Sequence, residues 1–493
     1  MKSDSMRRFF TMLLFMAAGF TAFGQRTLQQ WVTTPDGDRI MEEGKTVEFK
    51  DALPGGGVPI TVDERQSYQE MLGFGFALTG GSAELLMKMT PAARTAILKE
   101  LFAPDQMNIS VLRLTVGASD MNSFVFSYDD MPEGKEDFKL KKFSLSQDLN
   151  DVVPVMQEIL SINPNIWVMA SPWSAPAWMK ESRDVRGGKL RRECYGVYAV
   201  YLAKYILAMK EQGITIHALT IQNEPLNSRN TPSMPWSPED QKIFIRDYLG
   251  PEFDQAGIST GILAFDHNCD RPDYPMAIIE DPGAAKYITG TAFHHYAGDL
   301  SAMTLVHDFR PDKDIYFTEQ MVVDRRGSVT SRIAPSVKRM LIDIPRNWSR
   351  NVILWNLAAD PEAKPHTDNG GCPFCFGAIT LDGNTVTRNL AYWVVAHASG
   401  LVPAGSYRIH STEASEPVSF LFEDEQQPEV KRFVTYSHSG VPSNVAFRTP
   451  DGRIVLVVAN ESASGANIKI KYHGQFANVH LPSGAVGTYS WQK

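Results

Sequence analysis

Eight short apolar runs, separated for the most part by helical patterns, constrain this chain more than any other feature. They are MLGFGFALTG (71–80), SVLRLTVG (110–117), IWVMASPW (166–173), HALTIQNEP (217–225), TGILAFDH (260–267), ITGTAFHHY (288–296), DIYFTEQ (314–320) and NVILWNLA (351–358). Apolar, β-branched and aromatic residues favour strands. In DLNDVVPVMQEIL, Val152, Val155, Met156, Ile159 and Leu160 fall on one helical face. YGVYAVYLAKYILAMKEQG is a longer helical pattern ended by Gly213, and APSVKRMLIDI precedes the last run. SPEDQKIFIRDYLG opens on Ser237, a good N-cap, with acids in its first turn. Strands alternating with helices imply parallel pairing beneath helix-covered faces. Eight such units predict an α/β chain built on a (β/α)8 TIM barrel. The runner-up, a doubly wound open sheet, lacks a G-x-G-x-x-G turn after its first strand.

The chain has 493 residues, too many for one ordinary core. WVTTPDGDRIMEEGKTVEF, before the first run, is strand-like with a PDGD turn. Beyond about residue 400 helical periodicity gives way to VAFRTPDGRIVLVVANES, NIKIKYHG, FANVHLP and AVGTYSW, short alternating strands between turn residues. These predict an antiparallel β-sandwich over 401–493, joined by N-terminal strands from 25–66, with the barrel over 67–400. Residues 1–24 read as a signal peptide: Arg7 and Arg8, an apolar Phe9–Phe20 stretch too short to span a bilayer, then Ala22 and Gly24 before the cleavage point. The expectation is a soluble protein exported to the periplasm or beyond, with no membrane span.

Hydrophobic residues make up 43% and charged residues 21%, which is ordinary for a folded protein, and the net charge of −8 argues against a nucleic-acid partner. Four cysteines, Cys194, Cys269, Cys372 and Cys375, do not make a disulfide scaffold. The pair in GGCPFC is one C-x-x-C without a second, a weak zinc signal. It reads as a local loop staple or as two free thiols. The sequons at Asn108, Asn347 and Asn460 are short enough to be chance matches.

Active sites of such barrels lie at the C-terminal ends of the strands. The second run carries Arg113 and leads to Asp120; the third ends in Trp173, with Trp178 close behind. The fourth ends in Asn223 and Glu224, the sixth in His294, His295 and Tyr296, the seventh in Glu319; the eighth holds Trp355 and Asn356. Two carboxylates among aromatic planes and amides suit glycoside hydrolysis. One carboxyl, with a raised pKa, protonates the leaving oxygen; the other, kept ionised by hydrogen bonds, attacks the anomeric carbon or activates water. Each residue alone has a plainer explanation, a surface charge or a core ring, but together these would be coincidences at one mouth.

ASPWSAPAWMK, LTIQNEP, AFHHY, IYFTEQ and WNLAADPEAKP resemble the motifs of glycoside hydrolase family 30, and look closest to its glucosylceramidase branch. GFGFALTGGSAELL and the stretch from SVLRLTVGASD to KKFSL are similar too, so that the resemblance runs from about Gln69 to Ile409. It implies a retaining mechanism without metal or cofactor. By residue-to-residue match, Glu224 is the acid/base and Glu319 the nucleophile. Asn223 holds the sugar's 2-hydroxyl, Tyr296 and Arg113 neighbour the nucleophile, Asp120 and Trp173 bind other hydroxyls, and Trp355 floors the sugar site. The implied partner is a glycan or glycolipid β-glycoside. An exo-acting β-glucosidase of glucosylceramidase type comes first, an endo-β-1,6-glucanase second, a β-xylosidase or β-fucosidase third. NGGCPFCFGAIT departs from the animal lysosomal branch, which carries another sugar-contacting Asn there. Two rival readings are a metal-dependent hydrolase using His294, His295 and an Asp, and a non-catalytic glycan-binding protein. For His294 and His295 the favoured role is hydrogen bonding or structural. A retaining enzyme places its carboxyls about 5–5.5 Å apart.

Overall fold

The computed structural model describes residues 26–52, 59–323, 330–369, 373–412 and 441–493. The signal-peptide reading of 1–24 and Cys372 lie outside the described residues. Eight parallel strands close into a barrel. They are β1 (Gly73–Ala77), β2 (Val111–Val116), β3 (Trp167–Pro172), β4 (Ala218–Thr220), β5 (Gly261–Cys269), β6 (Ile288–Gly298), β7 (Asp314–Glu319) and β8 (Ser349–Leu354). Each overlaps one of the eight apolar runs. Pairing of β8 with β1, Asn351 opposite Gly73, completes the ring. A side chain at Gly75 would meet the Val111 carbonyl oxygen at 1.9 Å, so glycine lets β1 lie against β2.

The barrel is a packed core and not a pore. Val111, Met169, Ala218, Leu263, Ala292, Tyr316 and Ile353, from β2 to β8, fill one lumen layer. Trp167 stacks on Tyr316 at 5.6 Å. Side chains alternate along a strand, so the next inward position, two residues on, is held by Arg113, Ser171, Thr220, His294, Thr318 and Trp355. The lumen therefore turns from apolar to polar within one repeat, toward the strands' C-terminal ends. The outward residues, such as Leu112, Val168, Leu219 and Phe293, join the main core beneath the helices. Those helices include Val152–Ile162, Tyr195–Glu211 and Pro238–Phe244. The last is capped as its sequence suggests, the Ser237 hydroxyl accepting the Asp240 N–H at 3.1 Å. It continues into a wider π-helical turn at Ile245–Leu249, as does the helix before β8 at Lys338–Asp343. The sequence pattern carried no sign of either widening.

The flanks form a ten-stranded sheet whose inner side encloses a second core including Leu28, Val32, Ile60, Leu456, Ile470 and Tyr489. The N-terminal strand Thr27–Thr33 lies antiparallel to Val486–Gln492, Gln30 opposite Tyr489. The strand Ile60–Met71 pairs with Ser406–Ser411 and runs on toward β1. His397, just past the helix Leu390–Ala396, joins the two parts: its ring lies 2.8 Å from the Thr33 hydroxyl and 2.9 Å from that of Thr488. Among the described residues no helix is long and apolar enough to cross a membrane. Cys375 is disulfide-bonded, and Cys194 and Cys269 are buried.

Candidate active site

Arg113 organises the mouth of the barrel. It is fully buried on β2, and a buried guanidinium needs anionic partners on its donor edges. Its Nη1 donates to Glu319 Oε2 at 2.5 Å. Its Nη2 donates to Asn223 Oδ1 at 2.7 Å and to Asp266 Oδ2 at 2.9 Å. Trp173 lies 4.8 Å from the guanidinium carbon and stacks on Trp355 at 5.5 Å. One cation thus gathers the β7 carboxylate, the amide after β4 and both tryptophans.

Glu224 follows β4 with a left-handed backbone, φ 46°, which turns its side chain over the mouth. Its N–H donates to the Asp266 carbonyl at 3.0 Å. Its Oε2 accepts Asn227 Nδ2 at 2.7 Å, and its Oε1 lies 3.3 Å from His294 Nδ1. Opposite, Glu319 Oε1 accepts the Tyr296 hydroxyl at 3.0 Å. An oxygen of Glu224, an oxygen of Glu319 and a ring nitrogen of His294 all lie within 4.8 Å of one another. Asp120 joins from the loop after β2: its Oδ2 accepts Asn230 Nδ2 at 3.2 Å, while its buried Oδ1 has no partner. The eight residues to which the family resemblance gave roles, Arg113, Asp120, Trp173, Asn223, Glu224, Tyr296, Glu319 and Trp355, therefore meet at one end of one barrel. His295 does not join them; its Nδ1 is buried without a partner.

Asp266 escaped the sequence reading, although the fifth run ends in Asp266-His267 just as others end in polar pairs. Positive φ at Phe265 (79°) and Asp266 (72°) resets the alternation on β5 and turns the carboxylate into the lumen. There Oδ2 also accepts Ser171 and Thr220 hydroxyls, each at 2.7 Å, and Oδ1 accepts Thr318 at 2.6 Å and faces His294 Nε2 at 3.1 Å. Asn227 and Asn230 also went unnoticed, because LNSRN has the composition of any polar loop.

The electrostatics differ from the arrangement expected of a donor and a nucleophile. Burial works to raise Glu224, but the His294 hydrogen bond, the charges of His267 and His294 and the Asn227 amide hold it down at about 2. Burial works against charge on His294, but Glu319, Asp266 and Glu224 raise it to about 9. The two form an imidazolium–carboxylate pair whose proton sits on nitrogen. Glu319 is raised by burial and by the charge of Glu224, against the pull of His294 and Arg113. Asp266, despite burial, is held below the usual carboxylate range by Arg113, His294 and Thr318. Asp120 is pushed well up by burial and by the charges of Glu319 and Glu224. The open site thus keeps its acid proton on His294, one hydrogen bond from Glu224.

Glu224, His294 and Glu319 are also the one group among the described residues spaced to hold a metal ion. The donor set fits a metal poorly. His294 Nε2 faces Asp266, and the surrounding carboxylates hold a proton on the nitrogen that a cation would need.

The sequence model of the glycosyl hydrolase family 30 TIM-barrel domain matches residues 71–368, and that of the family 30 beta sandwich domain matches 433–489. The chain belongs to glycoside hydrolase family 30. As a family 30 protein it is an O-glycosyl hydrolase, with the barrel and sandwich of that family. It is similar to an endo-1,6-beta-D-glucanase of Neurospora crassa, 31% identical over 82% of this chain and 81% of the relative. It is also similar to the solved endo-beta1,6-glucanase BT3312, at 31% identity, with a TM-score of 0.82 over 94% of this chain and 99% of that one. The lysosomal acid glucosylceramidase of Mus musculus is more distant, 25% identical over 89% of this chain and 84% of the relative.

Proposed function

We propose that this family 30 hydrolase is a retaining endo-β-1,6-glucanase, with Glu319 as nucleophile and Glu224 as acid/base. The observation that carries the chemistry is the approach of the two carboxylates to within 4.8 Å. That suits the retaining separation of about 5–5.5 Å, whereas an inverting pair needs about 6.5–9.5 Å to admit a water. The substrate reading rests on the endo-1,6-glucanases among the relatives, which are closer than the glucosylceramidase. The order expected from the motifs, glucosylceramidase type first, is thereby reversed. Those motifs surround the bond being cut, which is common to both substrates.

In the first step Glu319 attacks the anomeric carbon and the glycosidic oxygen takes a proton from Glu224. The proton reaches Glu224 from His294 Nδ1 across the 3.3 Å contact. Forming the glycosyl ester removes the charge of Glu319, a like charge beside Glu224 that favours its protonated form. Glu224 is then ionised and able to take a proton from the attacking water. Arg113 and the Tyr296 hydroxyl hold Glu319 in line throughout. The segment 1–24, read as an export signal, would deliver the enzyme to glucan outside the cytoplasm; the N-terminus of the secreted protein tests that step.

The deciding experiment offers linear β-1,6-glucan, β-1,3-glucan and a glucosylceramide to the wild type and to Glu319→Gln. The expected result is shortening of the β-1,6-glucan to oligosaccharides, the β-anomer appearing first by NMR, and no turnover by Glu319→Gln. Preference for glucosylceramide would restore the glucosylceramidase reading. An α-anomer formed first would show inversion and remove the mechanism.

A further inference from the structure

Asp120 and Glu224 stand on different barrel loops, yet two side-chain amides join them. Asn227 Nδ2 donates one hydrogen to Glu224 Oε2 at 2.7 Å and the other to Asn230 Oδ1 at 3.1 Å. Asn230 Nδ2 in turn donates to Asp120 Oδ2 at 3.2 Å. The orientation of Asn227 is fixed, because its Oδ1 accepts the Arg229 N–H at 2.9 Å and only nitrogen is left for Glu224. The far end is clamped by the loop after β8. Thr231 N–H donates to the Asn369 carbonyl at 2.8 Å, and the Thr367 hydroxyl donates to the Thr231 carbonyl at 2.6 Å. Thr367 N–H donates to the Asp120 carbonyl at 2.8 Å. At the end of this chain of amides Asp120 Oδ1 is buried without a partner.

We propose that Asn227 and Asn230 are positioning residues, an amide bridge through which a sugar hydroxyl engaging Asp120 tunes the orientation and proton affinity of Glu224. The proposal rests on the reading of Glu224 as acid/base. A hydroxyl that donates to Asp120 Oδ1 favours the ionised carboxylate. Burial and the charges of Glu319 and Glu224 work against a charge on Asp120, and such a donor works for it. An ionised Asp120 draws harder on Asn230 Nδ2, and the polarised Asn230 carbonyl draws harder on Asn227. Asn227 then donates less to Glu224, whose ionised form loses support. The new charge on Asp120 acts in the same direction. Glu224 gains proton affinity, with the proton 3.3 Å away on His294. An empty sugar site keeps the acid unarmed, and a filled one arms it.

The test measures kcat/KM against pH for the wild type, Asn227→Ala, Asn230→Asp and Glu224→Gln. It uses aryl β-glucosides with poor and with activated leaving groups, so that it does not depend on the linkage of the natural glucan. Asn227→Ala removes a donor to ionised Glu224, so the alkaline limb on the poor leaving group moves up, by about one pH unit. Asn230→Asp is isosteric, keeps the acceptor for Asn227 and sets a carboxylate against Asp120. It should raise KM about tenfold, the size of one hydrogen bond to a charged group, and move the limb the same way. Both defects should shrink on the activated leaving group, which needs little protonation. Equal losses on both substrates with an unmoved limb would mean a structural role only and overturn the bridge. Undiminished turnover of the poor leaving group by Glu224→Gln would instead remove the acid/base reading on which the bridge rests.

Discussion

The charge of His294 is set by its surroundings. Its ring is fully buried between Asp266 and Glu224, and the folded protein holds it at about 9 against an ordinary 6.5. A raised value means that the folded state binds the proton more tightly. The stability this contributes is complete below pH 6.5 and is lost as the pH rises through about 9. Glu224 acts in the other window: held at about 2 against 4.5, it contributes above pH 4.5 and loses that contribution as the pH falls toward 2. Thermal midpoints of the wild type should therefore drop between pH 6.5 and 9, and those of His294→Gln should drop less steeply. Parallel curves for the two proteins would mean that His294 carries no extra proton when folded. Arg113 adds a harsher expectation. Arg113→Met leaves Asp266 and Glu319 buried without their cation, a loss of about 3–5 kcal/mol. Denaturant unfolding measures it, and a loss below about 1 kcal/mol would mean that the two carboxylates do not depend on the guanidinium.

At the scale of elements, the barrel was readable because burial on both faces writes each strand as a continuous apolar run. Cap chemistry was readable for the same local reason. Ser237→Ala should cost about 1 kcal/mol in denaturant unfolding, since the Asp240 N–H then loses its acceptor. That helix also brings Gln241 Oε1 within 3.4 Å of the Phe265 N–H, on the left-handed stretch that points Asp266 inward. The stretch itself was not readable, because a strand that breaks its alternation keeps the composition of one that does not. The two glutamates stood out as carboxylates at the ends of apolar runs. Asn227 and Asn230 did not, since an amide in a polar loop gains meaning only from the groups facing it across space. Substrate preference was hidden likewise. The mouth is shaped by loops far apart in sequence, as where the loop after β8 grips the loop after β4 through Thr231, Thr367 and Asn369.

At the scale of the whole molecule, barrel and sandwich share more than a covalent link. His397 is held neutral by burial, pushed down to about 3, and its ring is pinned between Thr33 and Thr488 of two paired sandwich strands. Leu28 is fully buried in the sandwich core, so Leu28→Ala should cost about 2–5 kcal/mol. Because Thr33 lies on the same strand, the loss should reach the barrel. Calorimetry should show both parts melting earlier together, with activity lost over the same interval. A barrel transition that stays in place while the sandwich melts early would show that the His397 contact does not couple them.

The pairing of Thr27–Thr33 with Val486–Gln492 also sets an order on biosynthesis. One edge of Thr27–Thr33 is taken early by Glu42–Glu43 and Val47–Glu48, while the other waits for a strand more than four hundred residues later. The eight barrel strands emerge in between, so the catalytic barrel can close while the edge of Thr27–Thr33 that takes Val486–Gln492 is still open. The sandwich, by contrast, is completed only once Val486–Gln492 has emerged. Truncated products would then carry a closed barrel and an open sheet edge. Such an edge recruits other chains, which makes premature termination a route to aggregation for this enzyme.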